Sequence, residues 1–199
     1  MNTRTLGADL TVSAVGLGCM GFSHAYGAPT EKNEAIRSLR AAYDLGYTLF
    51  DTAETYGTAA DPHENEKLVG EALKDVRNSV QIVTKFGIRF DETSTAVNKP
   101  LIPDSRPETI RASVEGSLRR LQTDHIDLYF QHRMDPHVEP EAVAQVMADL
   151  IREGKITHWG ISEATEEYLR RAHKVCPVTA VQNRYSMMAR QYEALFPVL

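Results

Sequence analysis

Residues 49–57 read LFDTAETYG, a short apolar run that ends in the carboxylate of Asp51 and is followed five positions later by the phenol of Tyr56. Two further apolar runs also end in an ionisable side chain, Lys85 in one case and His132 in the other. An Asp, a Tyr, a Lys and a His form a set that can move a proton near neutral pH. The pattern therefore predicts a proton-transfer site built largely from the ends of strands.

Composition fits one globular domain over residues 1–199, with 42% hydrophobic and 25% charged residues. The net charge of −5, without a cluster of Lys and Arg interleaved with aromatics, argues against a nucleic-acid partner. The sequence has no apolar run of the roughly 18 residues that a membrane span needs. We therefore expect neither nucleic acid nor membrane as a partner.

The two cysteines, Cys19 and Cys176, stand alone and far apart in the sequence. Such spacing is typical of reduced thiols in a cytosolic protein and not of a disulfide framework. The first residues carry no apolar segment of a secretory signal. We expect a cytoplasmic protein in which both thiols act as small buried hydrophobic groups.

Short apolar runs alternate with segments of helical periodicity. The expected core strands cover residues 14–18, 47–51, 80–85, 126–132, 156–162 and 179–182. The expected helices begin near residues 30, 65, 106, 139 and 165, with one more beginning in 190–199. A β-hairpin is expected at about residues 3–13, and residues 87–105 are expected to form a long irregular loop. This alternation predicts an α/β fold with a parallel sheet covered by helices.

Gly16, Gly18 and Gly21 spell G-x-G-x-x-G, the pattern of a dinucleotide-binding turn when a strand precedes it and a helix follows. No helical period follows here, and the acidic residue expected about 20 positions later would be Asp44, late in a helix. We therefore disfavour a Rossmann fold. The better interpretation is that these glycines let the backbone approach a ligand at the mouth of a strand.

Two arrangements of strand-helix units compete, a doubly wound open sheet and a TIM (β/α)₈ barrel. Asp51, Lys85, His132, Ser162 and Gln182 each lie at or near the end of a successive strand. Barrel enzymes take their functional side chains from the C-terminal ends of several strands, whereas open sheets collect a ligand at one switch point. The spread over five strands favours the barrel.

Only about six of the eight strand-helix units of a barrel can be counted, and a complete barrel takes roughly 250 residues. We expect the chain to be the front portion of a longer protein or a truncated product. Completion by another chain, or a stable six-stranded open form, are the alternatives. The open sheet edges would allow self-association.

Each candidate side chain also has an ordinary structural interpretation. Asp51 and Lys85 could form a structural ion pair, and His132 could be a hydrogen-bonded core histidine. His63, Glu64 and Glu66 stand near the start of a helix, but the H-E-x-x-H spacing of a zinc site fails because residue 67 is Lys. We interpret them as a solvated helix start and expect no metal.

Several motifs, in order along the chain, resemble the aldo-keto reductases, in the branch that includes bacterial reductases and potassium-channel β subunits. The resemblance runs from about residue 4 to residue 199. Its markers are GLGCMG (16–21), FDTAETYG (50–57), TKF (84–86), DHIDLYFQH (124–132), GKI (154–156), GISE (160–163) and VQNRYS (181–186).

The resemblance implies NAD(P)H-dependent reduction of an aldehyde or ketone to an alcohol on a (β/α)₈ barrel. By position, Tyr56 is the general acid, and Lys85 and Asp51 are the pair that activates it. His132 orients the carbonyl group. Asp51 also counts among the cofactor-binding residues.

The resemblance further implies NADPH as the cofactor, with NADH as the alternative, and a small carbonyl compound as the substrate. Ser162 and Gln182 match the residues that hold the nicotinamide carboxamide, and Met20 and Gly21 match the loop beside that ring. Glu163 stands where many members carry Asn. Two other functions stay open: a non-enzymatic cofactor-binding or regulatory partner subunit, and an inactive truncated fragment.

Overall fold

The computed structural model describes residues 1–58, 60–96 and 99–199. The elements of the first half are β1 (Thr3–Leu6), β2 (Leu10–Ser13), β3 (Leu17–Gly18), α1 (Lys32–Asp44), β4 (Leu49–Asp51), α2 (Glu64–Leu73), β5 (Gln81–Phe86), β6 (Ile88–Phe90) and β7 (Leu101–Pro103). Those of the second half are α3 (Pro107–Leu121), β8 (Ile126–Gln131), α4 (Pro140–Arg152), β9 (Ile156–Ser162), α5 (Glu166–Val175) and β10 (Ala180–Gln182).

Six strands form one parallel sheet in the order β3-β4-β5-β8-β9-β10. Each core strand lies beside the next one along the chain, and the order never reverses. A doubly wound sheet has a reversal, and its ligand binds there, whereas a barrel has strands in sequence order. The sheet is therefore the barrel-type α/β fold that the alternation predicts, with six of the eight strands present.

The glycines at residues 16–21 do not open an α-helix. A single 3₁₀ turn, Met20–Phe22, follows β3, and α1 begins only at Lys32. The side chain of Glu31 caps that helix by accepting hydrogen bonds from the backbone N–H groups of Asn33 and Glu34. This geometry differs from the strand-to-helix turn of a Rossmann fold.

Two apolar clusters lie on opposite faces of the sheet. The larger one fills the layer between the strands and the helices and includes Phe50, Tyr129 and Trp159. The smaller one lies on the inner face, where Val83, Leu128 and Phe130 pack together. Because side chains alternate along a strand, the residues that follow this inner set at the C-terminal ends also point inward.

The antiparallel pair β1–β2 packs against the inner face. Its Leu10 and Val12 side chains belong to the same cluster as Val83, Leu128 and Phe130. The hairpin therefore fills the end of the sheet opposite to the C-terminal strand ends with apolar side chains.

Residues 87–105 are not wholly irregular. Two strands within them, β6 and β7, form an antiparallel pair in which Ile88 faces Pro103. Both strands are short, and Pro103 interrupts the apolar pattern of the second, so neither carries a clear period-two signal. The expected α-helix at 190–199 is also replaced, by a 3₁₀ helix over Glu193–Val198 that contains Pro197.

Both cysteines are buried, as expected, with Cys19 wholly shielded from solvent. Burial raises the pKa of the Cys19 thiol well above its usual range. Within the described ranges, none of the helices combines the length and the apolar character needed to cross a membrane.

Gly160 lies where β9 passes between its neighbours, and replacing it by alanine should destabilise the fold. A Cβ atom there would lie 2.4 Å from Phe130 Cε1 and 2.5 Å from the Ala180 carbonyl oxygen. Overpacking of this kind costs about 1–3 kcal/mol, so we expect the melting temperature to fall by roughly 3–10 °C. Gly18→Ala is the matched control because a Cβ there meets nothing within 4 Å. Equal melting temperatures for the two variants would contradict the expectation.

Candidate active site

Asp51 and Lys85 meet at the C-terminal ends of β4 and β5. Lys85 Nζ donates to Asp51 Oδ1 at 2.5 Å and to the Thr52 carbonyl oxygen at 2.7 Å. The Lys85 side chain is only 1% exposed and that of Asp51 is 20% exposed. A buried ammonium group is costly unless it is paired and hydrogen-bonded. The two acceptors meet that need and hold the ammonium group in one position.

Tyr56 lies in the loop between β4 and α2, beside that ion pair. Lys85 Nζ is 4.9 Å from the centroid of the Tyr56 ring. The His132 ring meets the Tyr56 ring edge-on, with centroids 5.6 Å apart and an interplanar angle of 84°. The structure thus brings together the four side chains that the sequence predicts for proton transfer.

His132 follows β8 directly and is held in place by its backbone N–H, which donates to the Phe86 carbonyl oxygen at 2.7 Å. Burial is the main cause that lowers the pKa of His132 to about 3, and the nearby cations Lys85 and Arg133 add to it. The imidazole is therefore neutral near pH 7. Its Nδ1 atom is buried and has no hydrogen-bond partner within the described residues.

A cavity of about 590 Å³ opens beside these groups. Its lining combines two of the four predicted proton-transfer residues, Tyr56 and His132, with apolar side chains. The apolar part comes largely from the β6–β7 pair, through Ile88, Leu101 and Pro103. Such a volume suits a small organic molecule with one polar group.

The predicted cofactor-binding residues follow the same rim. The Ser162 hydroxyl is buried and has no hydrogen-bond partner in the part of the chain that the structure describes. Gln182 is exposed, and its Nε2 donates to Asp51 Oδ2 at 2.8 Å. The end of β10 is thereby joined to the ion pair between Asp51 and Lys85, a contact that strand-end reasoning does not predict.

Glu163 occupies the left-handed region of the backbone, with φ of 54°. This conformation is uncommon for residues other than glycine. Its N–H donates to the Gln182 carbonyl oxygen at 3.1 Å and to Asn183 Oδ1 at 3.0 Å, and both contacts hold the turn. Its carboxylate pairs with Arg133 at 3.2 Å, and both side chains line the cavity.

Met20 and Gly21, the remaining predicted cofactor residues, lie in the 3₁₀ turn after β3. Met20 lines the cavity, whereas Gly21 is exposed and does not. The predicted set is therefore gathered at one end of the sheet, with Gly21 at its periphery.

Sequence reasoning misses His24, which no periodic pattern marks. Its ring stacks on that of Tyr56, with centroids 6.0 Å apart and an interplanar angle of 18°. Its Nδ1 lies 2.8 Å from the Gly57 carbonyl oxygen, so this nitrogen carries the proton and donates it. His24 also lines the cavity.

The interpretation of Glu66 as part of a solvated helix start is wrong. Glu66 is fully buried. Its carboxylate accepts hydrogen bonds from Thr84 Oγ1 at 2.6 Å and from Arg120 Nε at 2.5 Å, and these contacts compensate for the loss of water. The first residues of a helix usually face water. Nothing in the sequence around Glu66 shows that it is buried instead, because its partner Arg120 lies 54 residues away. Among the described residues no group of three or more His, Cys, Asp or Glu side chains could hold a metal ion.

Residues 14–199 match the model of the aldo/keto reductase family. One curated relative, probable aldo-keto reductase 1 from Glycine max, is 42% identical over 183 residues. That match covers 92% of this chain and 50% of the relative, so the chain spans half the length of that protein.

Solved structures show the same likeness. The holo form of aldo-keto reductase AKR11C1 from Bacillus halodurans is 32% identical with a TM-score of 0.84, over 100% of this chain and 62% of that one. The glycerol dehydrogenase AKR11B4 from Gluconobacter oxydans is 32% identical with a TM-score of 0.81, over 96% and 57%. Strand order, sequence match and structural likeness agree, and the chain belongs to the aldo/keto reductase family.

Proposed function

We propose that the protein reduces an aldehyde or ketone to an alcohol with NADPH, or alternatively NADH, and that Tyr56 is the general acid. One observation carries the proposal: a buried ammonium group, paired with a carboxylate, lies 4.9 Å from the ring of a tyrosine that lines a cavity. This is a means of making a phenol donate a proton at the cavity wall.

The residues around the rim fit a nicotinamide cofactor. The unpartnered buried hydroxyl of Ser162 and the amide of Gln182 could hydrogen-bond a carboxamide, and Met20, Gly21 and Glu163 lie nearby. When bound, the cofactor supplies a hydride to the carbonyl carbon. Asp51 takes part in both subsites because it contacts Lys85 and Gln182.

The proton for the developing alkoxide comes from Tyr56. A nearby cation stabilises the negative charge that a phenol gains as it gives up its proton. Lys85 supplies that cation, and Asp51 holds it in place. His132, neutral because its pKa is lowered to about 3, donates a hydrogen bond to the carbonyl oxygen and orients it.

The test is the loss of reduced nicotinamide on addition of carbonyl compounds to the purified protein, with cofactor binding measured separately. Turnover that depends on both cofactor and carbonyl compound supports the proposal. Cofactor binding without turnover for any carbonyl compound would instead favour a regulatory partner subunit. The absence of both binding and a cooperative thermal transition would favour an inactive fragment. Two free thiols are typical of a reducing compartment, which supports a cytoplasmic location.

His24 should contribute to this activity by holding Tyr56. His24→Phe keeps an aromatic ring against Tyr56 but removes the hydrogen bond to Gly57, whereas His24→Ala removes both. A hydrogen bond and a ring stack are each worth about 1 kcal/mol, so we expect kcat/KM to fall roughly 5-fold for Phe and 10–30-fold for Ala. Steady-state kinetics with one carbonyl substrate measures both variants. Equal losses for the two variants would show that only the hydrogen bond matters, and a wild-type value for His24→Phe would show that only the stack matters.

A further inference from the structure

A buried cluster of ionisable side chains lies behind the candidate site, in the layer between the sheet and helices α2 and α3. It consists of Glu54, Glu66 and Arg120. Glu66 is fully buried and Glu54 is 7% exposed. Charged side chains are rarely buried to this extent unless they are paired, and the proposed reaction uses none of the three.

The cluster is held by specific contacts. Arg120 Nε lies 2.5 Å from Glu66 Oε2, and Arg120 Nη2 lies 4.0 Å from Glu54 Oε2. Ser113 Oγ, from α3, donates to Glu54 Oε1 at 3.2 Å. Thr84 Oγ1, from β5, donates to Glu66 Oε1 at 2.6 Å. The cluster thus ties α2, α3 and β5 to the loop that contains Glu54.

That loop also carries Tyr56. Glu54 lies between Asp51 and Tyr56 in the sequence, and its backbone N–H donates to the Lys85 carbonyl oxygen at 3.4 Å. Its own carbonyl oxygen contacts the His63 ring nitrogen Nδ1. A displacement of the Glu54 side chain would therefore move the backbone that presents Tyr56 to Lys85.

We propose that Glu54 is a positioning residue, which holds the Tyr56 loop beside Lys85 by anchoring it to Ser113 and Arg120. This inference rests on the proposed function for its catalytic meaning. The anchoring itself is a property of the fold and can be tested without turnover.

The anchor is sensitive to proton loss. Burial is the main cause that raises the pKa of Glu54 to about 8, and the Glu66 carboxylate adds to it, while Ser113 and Arg120 act in the opposite direction. Among the described residues, Tyr129 on β8 also lies close to the Glu54 carboxyl, and His63, on the approach to α2, contacts the Glu54 carbonyl oxygen. Near pH 7 the Glu54 carboxyl is therefore mostly protonated, and its hydrogen bond with Ser113 anchors the loop beside Arg120. Above pH 8 Glu54 is ionised, and Arg120, which already contacts Glu66, then has a second buried carboxylate beside it.

The sign of the effect on stability follows from linkage. The folded-state pKa of about 8 exceeds the ordinary value of 4.5, so between these values the folded chain binds more protons than the unfolded chain. Stability attributable to Glu54 therefore declines as the pH rises from about 4.5 to about 8, and the loss is complete above that range. Glu54→Gln keeps the shape of the side chain and removes this dependence.

The first experiment compares melting temperatures of the wild-type chain and Glu54→Gln between pH 5 and pH 9. Between pH 5 and pH 8, we expect the melting temperature of the wild type to fall by roughly 5–10 °C relative to that of Glu54→Gln. Glu71→Gln, on the same helix as Glu66, is the control because the Glu71 side chain is 41% exposed and pairs only with Lys32 in the described chain. Its curve should run parallel to that of the wild type. A parallel curve for Glu54→Gln as well would overturn the proposal.

The second experiment follows the Tyr56 loop directly. The His132 ring is 5.6 Å from that of Tyr56 and stays neutral from pH 6 to pH 9, so its NMR resonances report on the position of the phenol. In the wild type we expect a shift with a midpoint near pH 8 that is absent in Glu54→Gln. Ser113→Ala, which leaves the loop sequence untouched, should move the same resonance at neutral pH. If neither Glu54→Gln nor Ser113→Ala changed the chemical shift of the His132 resonances, the proposal would be overturned.

Neither measurement needs turnover, so the two proposals can fail separately. If the protein reduces carbonyl compounds, the alkaline limit of kcat should move to higher pH in Glu54→Gln. Shifts in stability and in the His132 resonance without any carbonyl reduction would support the positioning of Tyr56 and overturn only the proposed function.

Discussion

Tyr56→Phe should lower kcat for carbonyl reduction by about 10³–10⁴-fold and leave cofactor affinity within a factor of two or three. The substitution removes one hydroxyl and keeps the ring that contacts Lys85, His132 and His24. The loss falls on kcat because the proton is transferred in the transition state, whereas the ring contacts that shape the cavity persist. Steady-state kinetics, with cofactor binding followed by fluorescence, measures both quantities.

Tyr26→Phe is the matched control, since Tyr26 lies in the neighbouring loop after β3 and is 78% exposed. It should leave kcat unchanged. If Tyr56→Phe kept more than about a tenth of the wild-type turnover, another group would have to donate the proton, and the assignment of Tyr56 as general acid would fail.

Lys85→Met should have the second largest effect, a fall in kcat of about 10²–10⁴-fold together with a loss of stability. The methionine fills a similar volume but leaves Asp51 Oδ1 and the Thr52 carbonyl oxygen without the donor they share. Leaving acceptors unpaired in a partly buried site costs about 1–3 kcal/mol. Thermal unfolding and kinetics on the same preparation separate the two consequences.

Lys67→Met provides the control, because Lys67 forms an ion pair with Asp61 that is half exposed. Exposed pairs contribute little, so neither stability nor turnover should change measurably. The double variant Lys85→Met/Asp51→Asn tests whether the pair acts as one unit. Its kcat should be no lower than that of Lys85→Met alone, and additive losses would show that Asp51 acts independently.

The fold could be predicted from the sequence because its signals are local and repeated. Most core strands are apolar runs with a helical period after them, and the structure confirms the barrel-type order of six parallel strands. Because side chains alternate along a strand, Asp51 and Lys85 lie on the inner face of the sheet. They lie at the C-terminal strand ends, where Ser162 and Gln182 also lie. Family motifs added the expected roles, which remain predictions.

What the sequence could not supply depends on distant partners or on irregular backbone. The burial of Glu66 is set by Arg120 and Thr84, which its own surroundings do not reveal. His24 meets Tyr56 through a loop without periodicity, so no pattern marks it. The β6–β7 pair has strands of three residues each, too short for alternation to be recognised.

The apolar hairpin has a consequence for the hydration of the ion pair. Leu10 and Val12 pack with Val83, Leu128 and Phe130, so apolar side chains cover the inner face below the C-terminal strand ends. An apolar surface holds water poorly, so the Lys85 ammonium group depends on two protein acceptors, Asp51 Oδ1 and the Thr52 carbonyl oxygen, for its hydrogen bonds.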